Sequence, residues 1–324
     1  MNRKDLLLQW LSKTTGSKDF TLAPASEDAS FRSYYRVTNG NLSLIAMDAP
    51  PELEDCDGFV KVQKILYSQG VNVPQIHAFD PQLGFMLLTD FGTDSYLDRL
   101  NEETAISLYQ AAIDELIKIQ SIKQPESLPL YDSKLLQTEL DLFTDWFIGQ
   151  HLDYHLNDTQ HELLQLVHER LIKNALEQPQ VFVHRDYHSR NLMVTKNPPG
   201  VIDFQDAVIG PITYDLASLL KDCYVSWPQS TIDQLVKYYC TQSHILTRYD
   251  ISHEKLTRWF DFMAVQRHLK AIGIFCRLNY RDGKKQYLND IPRTINYVIK
   301  TAKKHEELIE LGQLLQAVCP RLKT

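Results

Sequence analysis

An island of β-forming sequence set among helical segments constrains this chain more than any other feature. Val181-Phe182-Val183 runs into the polar stretch His184-Arg185-Asp186-Tyr187-His188-Ser189-Arg190-Asn191. Leu192-Met193-Val194 follows, then a turn at Asn197-Pro198-Pro199-Gly200, then Val201-Ile202-Asp203-Phe204. Short apolar runs bounded by Asn, Pro and Gly read as strands joined by tight connections. Around the island the apolar spacing is helical, near 102–120, 132–149, 159–177, 212–225, 229–241, 252–279 and 292–318. The pattern hangs a charged loop from one strand and sets a second carboxylate at the end of another, with helices to hold both in place.

The residues before Glu102 follow a different pattern. Tyr34-Tyr35-Arg36-Val37, the turn Asn39-Gly40 and Leu42-Ser43-Leu44-Ile45-Ala46-Met47 predict a hairpin, and Gly84-Phe85-Met86-Leu87-Leu88 predicts a further strand. Between them Phe59, Val62, Ile65 and Leu66 have helical spacing, with Gly70 placed to end the helix. The expected class is therefore α+β, with a small β-rich lobe over 1–92 and a larger, mostly helical lobe over 93–324.

At 324 residues and 44% hydrophobic composition, the chain has ample material for a core, and no apolar run approaches the ~20 residues of a spanning helix. The stretch from Met1 to Leu11 carries charges and lacks a secretory signal, so it reads as a helix of a cytoplasmic protein. Cys56, Cys223, Cys240, Cys276 and Cys319 are scattered without a C-x-x-C pair, which argues against a disulfide framework or a zinc site. A net charge of −7 disfavours nucleic acid as a partner, and nothing marks an obligate protein partner. The charge is uneven: residues 251–324 hold 14 Lys and Arg against 7 Asp and Glu.

The polar stretch fits the pattern H-R-D-x-x-x-x-N position by position. Taken alone, Asp186 reads as a loop aspartate serving a turn. The full match, the flanking strands and the second acidic strand end favour chemistry instead: Asp186 as the carboxylate that orients and deprotonates an attacking hydroxyl, Asn191 and Asp203 as oxygen ligands of Mg²⁺. His184 and Asp215 read as supports of the loop, and His188 and Arg190 face either phosphate or solvent. Asp90-Phe91-Gly92 repeats the D-F-G of protein kinases but lies far upstream, so it reads as a lobe connector where backbone groups of Leu88, Thr89 and Asp90 meet an adenine edge. Only 12 positions separate Asp203 from Asp215, which leaves no room for a protein-kinase activation segment and points to a small-molecule acceptor.

Residues 181–222, above all His184 to Asn191 and Asp203-Phe204-Gln205-Asp206-Ala207-Val208-Ile209-Gly210-Pro211-Ile212-Thr213-Tyr214-Asp215-Leu216, resemble the aminoglycoside phosphotransferase and choline kinase superfamily. Within it, Ile45-Ala46-Met47-Asp48-Ala49-Pro50-Pro51 and Gln266-Arg267-His268-Leu269-Lys270 are most similar to the bacterial anomeric kinases of N-acetylmuramate and N-acetylglucosamine, which serve peptidoglycan recycling. The resemblance implies a protein-kinase-like bilobal fold, Mg²⁺, ATP or another purine nucleoside triphosphate, and transfer to the C1 hydroxyl of an amino sugar, with Gln205 beside Asp186 on the substrate side.

One position departs from the wider superfamily. Where a strand lysine normally grips the α- and β-phosphates, this chain has Met47, and the following helix carries Lys61 where its partner glutamate is expected. Lys61 reads either as a relocated phosphate contact or as a solvated residue, and Arg32 and Arg36 compete for the same role. Ser26 to Ser33 occupies the phosphate-loop position without a glycine. Arg267 and Lys270, three apart on one helix, read as contacts to an acidic acceptor or as part of a solvated basic face. Trp146, Trp227 and Trp259 read as core residues rather than sugar-stacking ones. Two rival readings remain at this stage: an aminoglycoside- or choline-type kinase, and a nucleotide-binding regulatory protein with little turnover, the latter motivated by Met47.

Overall fold

A computed structural model of the chain describes residues 2–27, 31–123, 125 and 128–319. Two compact units result: Met1–Ser95 with Asn191–Asp206, and Tyr96–Arg190 with Ala207–Thr324. Asn191 and Asp203 thus group with the sheet-rich unit, and Asp186 with the helical one.

The first unit is a five-stranded antiparallel sheet with two helices. In chain order its elements are α1 (Arg3–Thr15), β1 (Thr21–Glu27), β2 (Ser33–Asn39), β3 (Leu42–Asp48), α2 (Asp57–Ser68), β4 (Ile76–Asp80) and β5 (Phe85–Thr89). The sheet order is β1-β2-β3-β5-β4. The expected β2–β3 hairpin forms at Asn39-Gly40, with Gly40 at φ +57°. β1 and β4 were not expected. β1 carries Pro24 at a slip of register, and β4 is an edge strand of mixed polarity.

Asn2 caps α1 by accepting from the Asp5 N–H at 2.8 Å, and Gly16 ends it in the left-handed conformation. Leu7 and Leu11 bury against Val37, Ala46, Phe85 and Leu87 on one sheet face; cutting either leucine to alanine would cost about 2–5 kcal/mol. Gly84 is required where β5 begins, because a Cβ there would stand 1.9 Å from the Ala49 carbonyl oxygen.

In the second unit the main helices are Ala105–Gln120, Ser133–Leu142, Asp158–Leu176, Tyr214–Leu220, Gln229–Gln242, His253–Asp282, Ile291–Ala302 and Ile309–Val318. The helix expected over 292–318 is two helices broken near Lys303–His305. The stretch after Leu142 continues as a π-helix, Phe143–His151, a rare form. Its start lies against Gly273 of the long helix, where a Cβ would stand 2.4 Å from the Leu142 carbonyl carbon. The 30-residue helix His253–Asp282 starts at a Ser252 cap and runs through the core, burying Phe262, Val265, Leu269, Ile272 and Cys276. No helix among the described residues is long and apolar enough to cross a membrane.

The island is built differently from its expected form. Gln180–Val183 pairs antiparallel with Val208–Pro211, a strand that the sequence pattern does not predict. Leu192–Met193 pairs with Gly200–Val201, which stops short of the expected 201–204 because Asp203 sits at φ +63°. A left-handed non-glycine residue cannot extend a strand, and such positions collect at functional sites.

Candidate active site

In the second unit, the strand Gln180–Val183 delivers the chain into the loop that carries Asp186, and two carboxylates grip the loop's backbone. Asp215, in the first turn of Tyr214–Leu220, accepts the His184 N–H at 2.7 Å and the Arg185 N–H at 3.0 Å. Asp222, just past the same helix, accepts from the Ser189 N–H at 3.0 Å and from the Ser189 hydroxyl. Both carboxylates are almost fully buried. Burial pushes the Asp215 carboxyl up to about 7 against the pull of the two N–H groups. The fully buried His184 accepts the Asp186 N–H on Nδ1 at 3.2 Å, and Arg185 takes up φ +77°. Asp215 and His184 therefore support the loop, as their positions in the sequence suggested.

Around Asp186 the charge is mostly positive. Burial raises the carboxyl's pKa, but Lys270, His188, His184 and Arg185 overcome that and hold it below its ordinary value, so it is ionised near neutral pH. Lys270 and Arg185 are themselves held by Glu139: its Oε1 stands 2.6 Å from Arg185 and 2.9 Å from Lys270. Tyr131 donates to the same carboxylate, and Gln266 Nε2 approaches it at 3.2 Å. Lys270 also donates to the Tyr214 hydroxyl at 3.0 Å. The Arg267 guanidinium lies over the Tyr214 ring, 4.9 Å from its centroid. Arg267 and Lys270 thus reach the surroundings of Asp186, and the nearest carboxylate of Lys270 is an internal one.

Burial lowers the His188 pKa, outweighing Asp222 and Asp186. Its ring meets the edge of Tyr224, and the Arg190 guanidinium covers the same ring at 3.6 Å. The tryptophans are structural: Trp259 is buried and donates to Glu177 at 2.6 Å, Trp227 donates to the Tyr109 hydroxyl at 2.9 Å, and Trp146 packs against the core.

In the first unit, Asn191 Nδ2 donates to Asp203 Oδ2 at 3.0 Å, and Gln205 Nε2 donates to Asp203 Oδ1 at 2.8 Å. Gln205 Oε1 is buried with no hydrogen-bond partner among the described residues. One carboxylate and amide carbonyls are hard oxygen donors, and Mg²⁺ is commonly bound by few protein groups, with phosphates and water completing its shell. The residues fit that ion. The rings of Phe204 and Phe59, 4.9 Å apart, tie this segment to the start of α2.

The expected nucleotide contacts lie in the same unit. Met47 is fully buried and opposes Tyr34 and Met86 across the sheet. Lys61 is exposed on α2, whose buried face carries Phe59, Val62, Gln63 and Leu66. Arg32 pairs with Glu54 at 3.1 Å. Arg36 is held by Asp90 at 2.6 Å and by the Gly92 carbonyl at 2.9 Å. Asp90 also accepts from Ser43, so its side chain fastens β2 and β3 to the connector. Leu88 is buried, and the Thr89 N–H donates to the Gln75 carbonyl at 3.0 Å, which commits that donor. Asp28 to Ser30 of the expected phosphate loop lie outside the described residues.

Sequence reasoning missed Glu139 and Asp222. Neither belongs to a motif, and each acts across a long separation, 46 residues from Arg185 and 33 from Ser189.

These features define a phosphotransferase, and comparison with known proteins agrees: residues 21–250 match the model of the phosphotransferase enzyme family, to which the chain belongs. It is 46% identical over 298 residues to an N-acetylmuramate/N-acetylglucosamine kinase of Pseudomonas aeruginosa, covering 92% of this chain and 88% of that one. Among solved structures, a Plasmodium vivax ethanolamine kinase superposes with a TM-score of 0.67 at 13% identity, over 90% of this chain and 86% of that one. The ADP-bound aminoglycoside phosphotransferase APH(2'')-Ib superposes with a TM-score of 0.61 at 15% identity, over 90% and 97%. At such identities the two structures establish the kinase-like fold alone.

Proposed function

We propose that this chain transfers the γ-phosphoryl group of ATP to the anomeric hydroxyl of N-acetylmuramate or N-acetylglucosamine. The observation that carries the reading is Asp186, a carboxylate kept ionised by surrounding cations in a loop whose backbone Asp215 and Asp222 grip. The activity in the name of the Pseudomonas aeruginosa relative supports the choice of sugars.

In this reading Asp186 accepts the proton of the C1 hydroxyl as that oxygen attacks the γ-phosphorus, and the bridging oxygen leaves with ADP. Arg185 and Lys270 favour the ionised form of Asp186 before transfer. Asn191 and Asp203 would hold Mg²⁺, which would supply charge neutralisation at the phosphates. Gln205 orients Asp203, and its buried Oε1 is offered to a bound group on the substrate side. Lys61 replaces the strand lysine as a cation for the phosphates, with Arg32 contributing nearby. The connector from Leu88 through Thr89 to Asp90 receives the adenine through backbone groups other than the committed Thr89 N–H. The five cysteines are free thiols, in keeping with a cytoplasmic reaction.

The test is transfer from ATP in the presence of Mg²⁺ to N-acetylmuramate, N-acetylglucosamine, kanamycin and choline, with products identified by ³¹P NMR. A sugar 1-phosphate is expected from both amino sugars. Faster transfer to kanamycin or choline would overturn the substrate assignment, and ATP binding without transfer to any acceptor would favour a regulatory protein.

A further inference from the structure

Three cations surround Asp186 in the helical unit, and they are not equivalent. Arg185 and Lys270 share the Glu139 carboxylate at 2.6 and 2.9 Å. Arg267 has no such partner: among the described residues, no carboxylate stands within ion-pair distance of its guanidinium. Its Nε, like that of Arg185, is buried without a hydrogen-bond partner among the described residues, and its guanidinium carbon lies over the Tyr214 ring, 4.9 Å from the centroid. Burial works against its charge, while Tyr214, with which it also shares a side-chain hydrogen bond, Cys223 and Asp186 favour it and raise its pKa above the ordinary value.

Removing a guanidinium from water is costly unless its donors find acceptors, and a cation already paired with a carboxylate has less to offer a second one. The planar fork of arginine matches a carboxylate or a phosphate with two parallel bonds. Arg267 therefore has both the geometry and the unmet donor capacity for an anion on whatever molecule sits at Asp186. Lys270, anchored by Glu139 and Tyr214, has less of either.

We infer that Arg267, and not Lys270, is the specificity-determining contact to a carboxylate on the acceptor sugar, while Lys270 with Arg185 and Glu139 positions Asp186. The inference rests on the sugar-kinase reading and deepens it. N-acetylmuramate carries a lactyl carboxylate that N-acetylglucosamine lacks. The phosphoryl group in transfer is a second possible anion, but it is common to both sugars and cannot separate them.

The experiment measures kcat/KM for N-acetylmuramate, its methyl ester and N-acetylglucosamine in wild type, Arg267→Gln, Arg267→Lys and Lys270→Gln. The quantity read is the preference for the acid over the ester and over N-acetylglucosamine. A charge-assisted contact corresponds to about 10–100-fold, so Arg267→Gln should lower both ratios by about that factor. Arg267→Lys keeps the charge without the fork and should lower them less. In Lys270→Gln all three rates should fall in proportion, with the ratios held within about twofold. Unchanged ratios in Arg267→Gln, or a collapse of the ratios in Lys270→Gln, would overturn the inference. If Arg267→Gln does not fold, unchanged ratios in Arg267→Lys would overturn it equally. Wild-type enzyme that phosphorylates both sugars keeps the functional reading intact in each of these cases, whereas wild-type transfer to neither sugar would remove that reading and the inference with it.

Discussion

Around the residues expected to react, the two units hold charge differently. In the helical unit most charged groups near Asp186 have a fixed partner: Glu139 holds Arg185 and Lys270, and Asp215 and Asp222 hold the loop backbone. In the sheet-rich unit the position that would bring a strand lysine holds the buried Met47, Lys61 stands exposed on α2, and Asn191, Asp203 and Gln205 form a small cluster of oxygen donors and amides. Preorganised charge needs no rearrangement when a substrate binds, so it suits the group that must accept a proton at a fixed place. On the proposed reading, the phosphate charge of the sheet-rich unit would arrive with the nucleotide and its Mg²⁺.

If the contrast is right, loss of the key residue in each unit should fail differently. Asp186→Asn should lower kcat by at least ~10²–10⁴-fold, the usual range for losing a general base, with the nucleotide dissociation constant little changed. Asp203→Asn should weaken Mg²⁺-dependent nucleotide binding as well as turnover. Calorimetric titration of both variants with Mg²⁺ and a non-hydrolysable ATP analogue separates the two. Equal loss of nucleotide affinity in both would erase the division of labour.

The next largest effect tests whether the helical unit works by preorganisation. Among the described residues, Asp222 accepts hydrogen bonds from Ser189 and the Tyr224 N–H and none from Asp186. Asp222→Asn should keep the volume but lose acceptor strength, and it should lower kcat by about 10–100-fold with a smaller change in the sugar KM, as expected when a reacting group is displaced. Asp222→Glu should recover part of the loss if positioning is the cause. A fall in thermal stability with kcat intact would make Asp222 purely structural.

A pH series probes the same preorganisation away from the loop. Burial would push the Asp261 carboxyl up, but the hydrogen bond from His305 at 2.8 Å and the ammonium of Lys221 bring it down to about 2 from an ordinary 3.8. A depressed carboxylate stabilises the folded state above its unfolded value, and the contribution disappears as pH falls from about 4 through about 2. The shift corresponds to about 2 kcal/mol. The stability gap between wild type and Asp261→Asn, followed by urea unfolding from pH 5 to pH 2, should therefore narrow across that window. A gap that stayed constant would show that Asp261 acts by packing alone.

What the sequence revealed follows the same division. The H-R-D-x-x-x-x-N run, the loop-supporting role of Asp215 and the β2–β3 hairpin were legible because each is encoded within a few residues of chain. The strand Val208–Pro211 was not, since four residues containing Gly210 and Pro211 carry no strand pattern until Gln180–Val183 lies beside them. Asp203 was expected to continue a strand, and its left-handed backbone at φ +63° has no local signature in the sequence. Lys270 reads as a free cation until the fold brings Glu139 to it from another helix. Ion pairs across such separations follow from packing rather than from local pattern.

The smallest expected effect decides how far the sheet-rich unit departs from its wider superfamily. Met47 lies between Tyr34 and Met86 with no exposed surface, so a lysine there would bury an ammonium among apolar neighbours unless a phosphate or a carboxylate met it. Lys61 is on the solvent side of α2, where a flexible stem can reach a bound phosphate and return to water. Such a contact is worth less than a fixed one because ordering the long side chain offsets part of its Coulombic gain. Lys61→Met should accordingly raise the KM for ATP and lower kcat together, each by less than about tenfold, with Lys61→Arg recovering most of the loss. Unchanged steady-state kinetics in Lys61→Met would assign that residue to solvent and leave the phosphates to Mg²⁺ and Arg32, and a loss of 10³-fold or more would make Lys61 the full equivalent of the strand lysine that Met47 replaces.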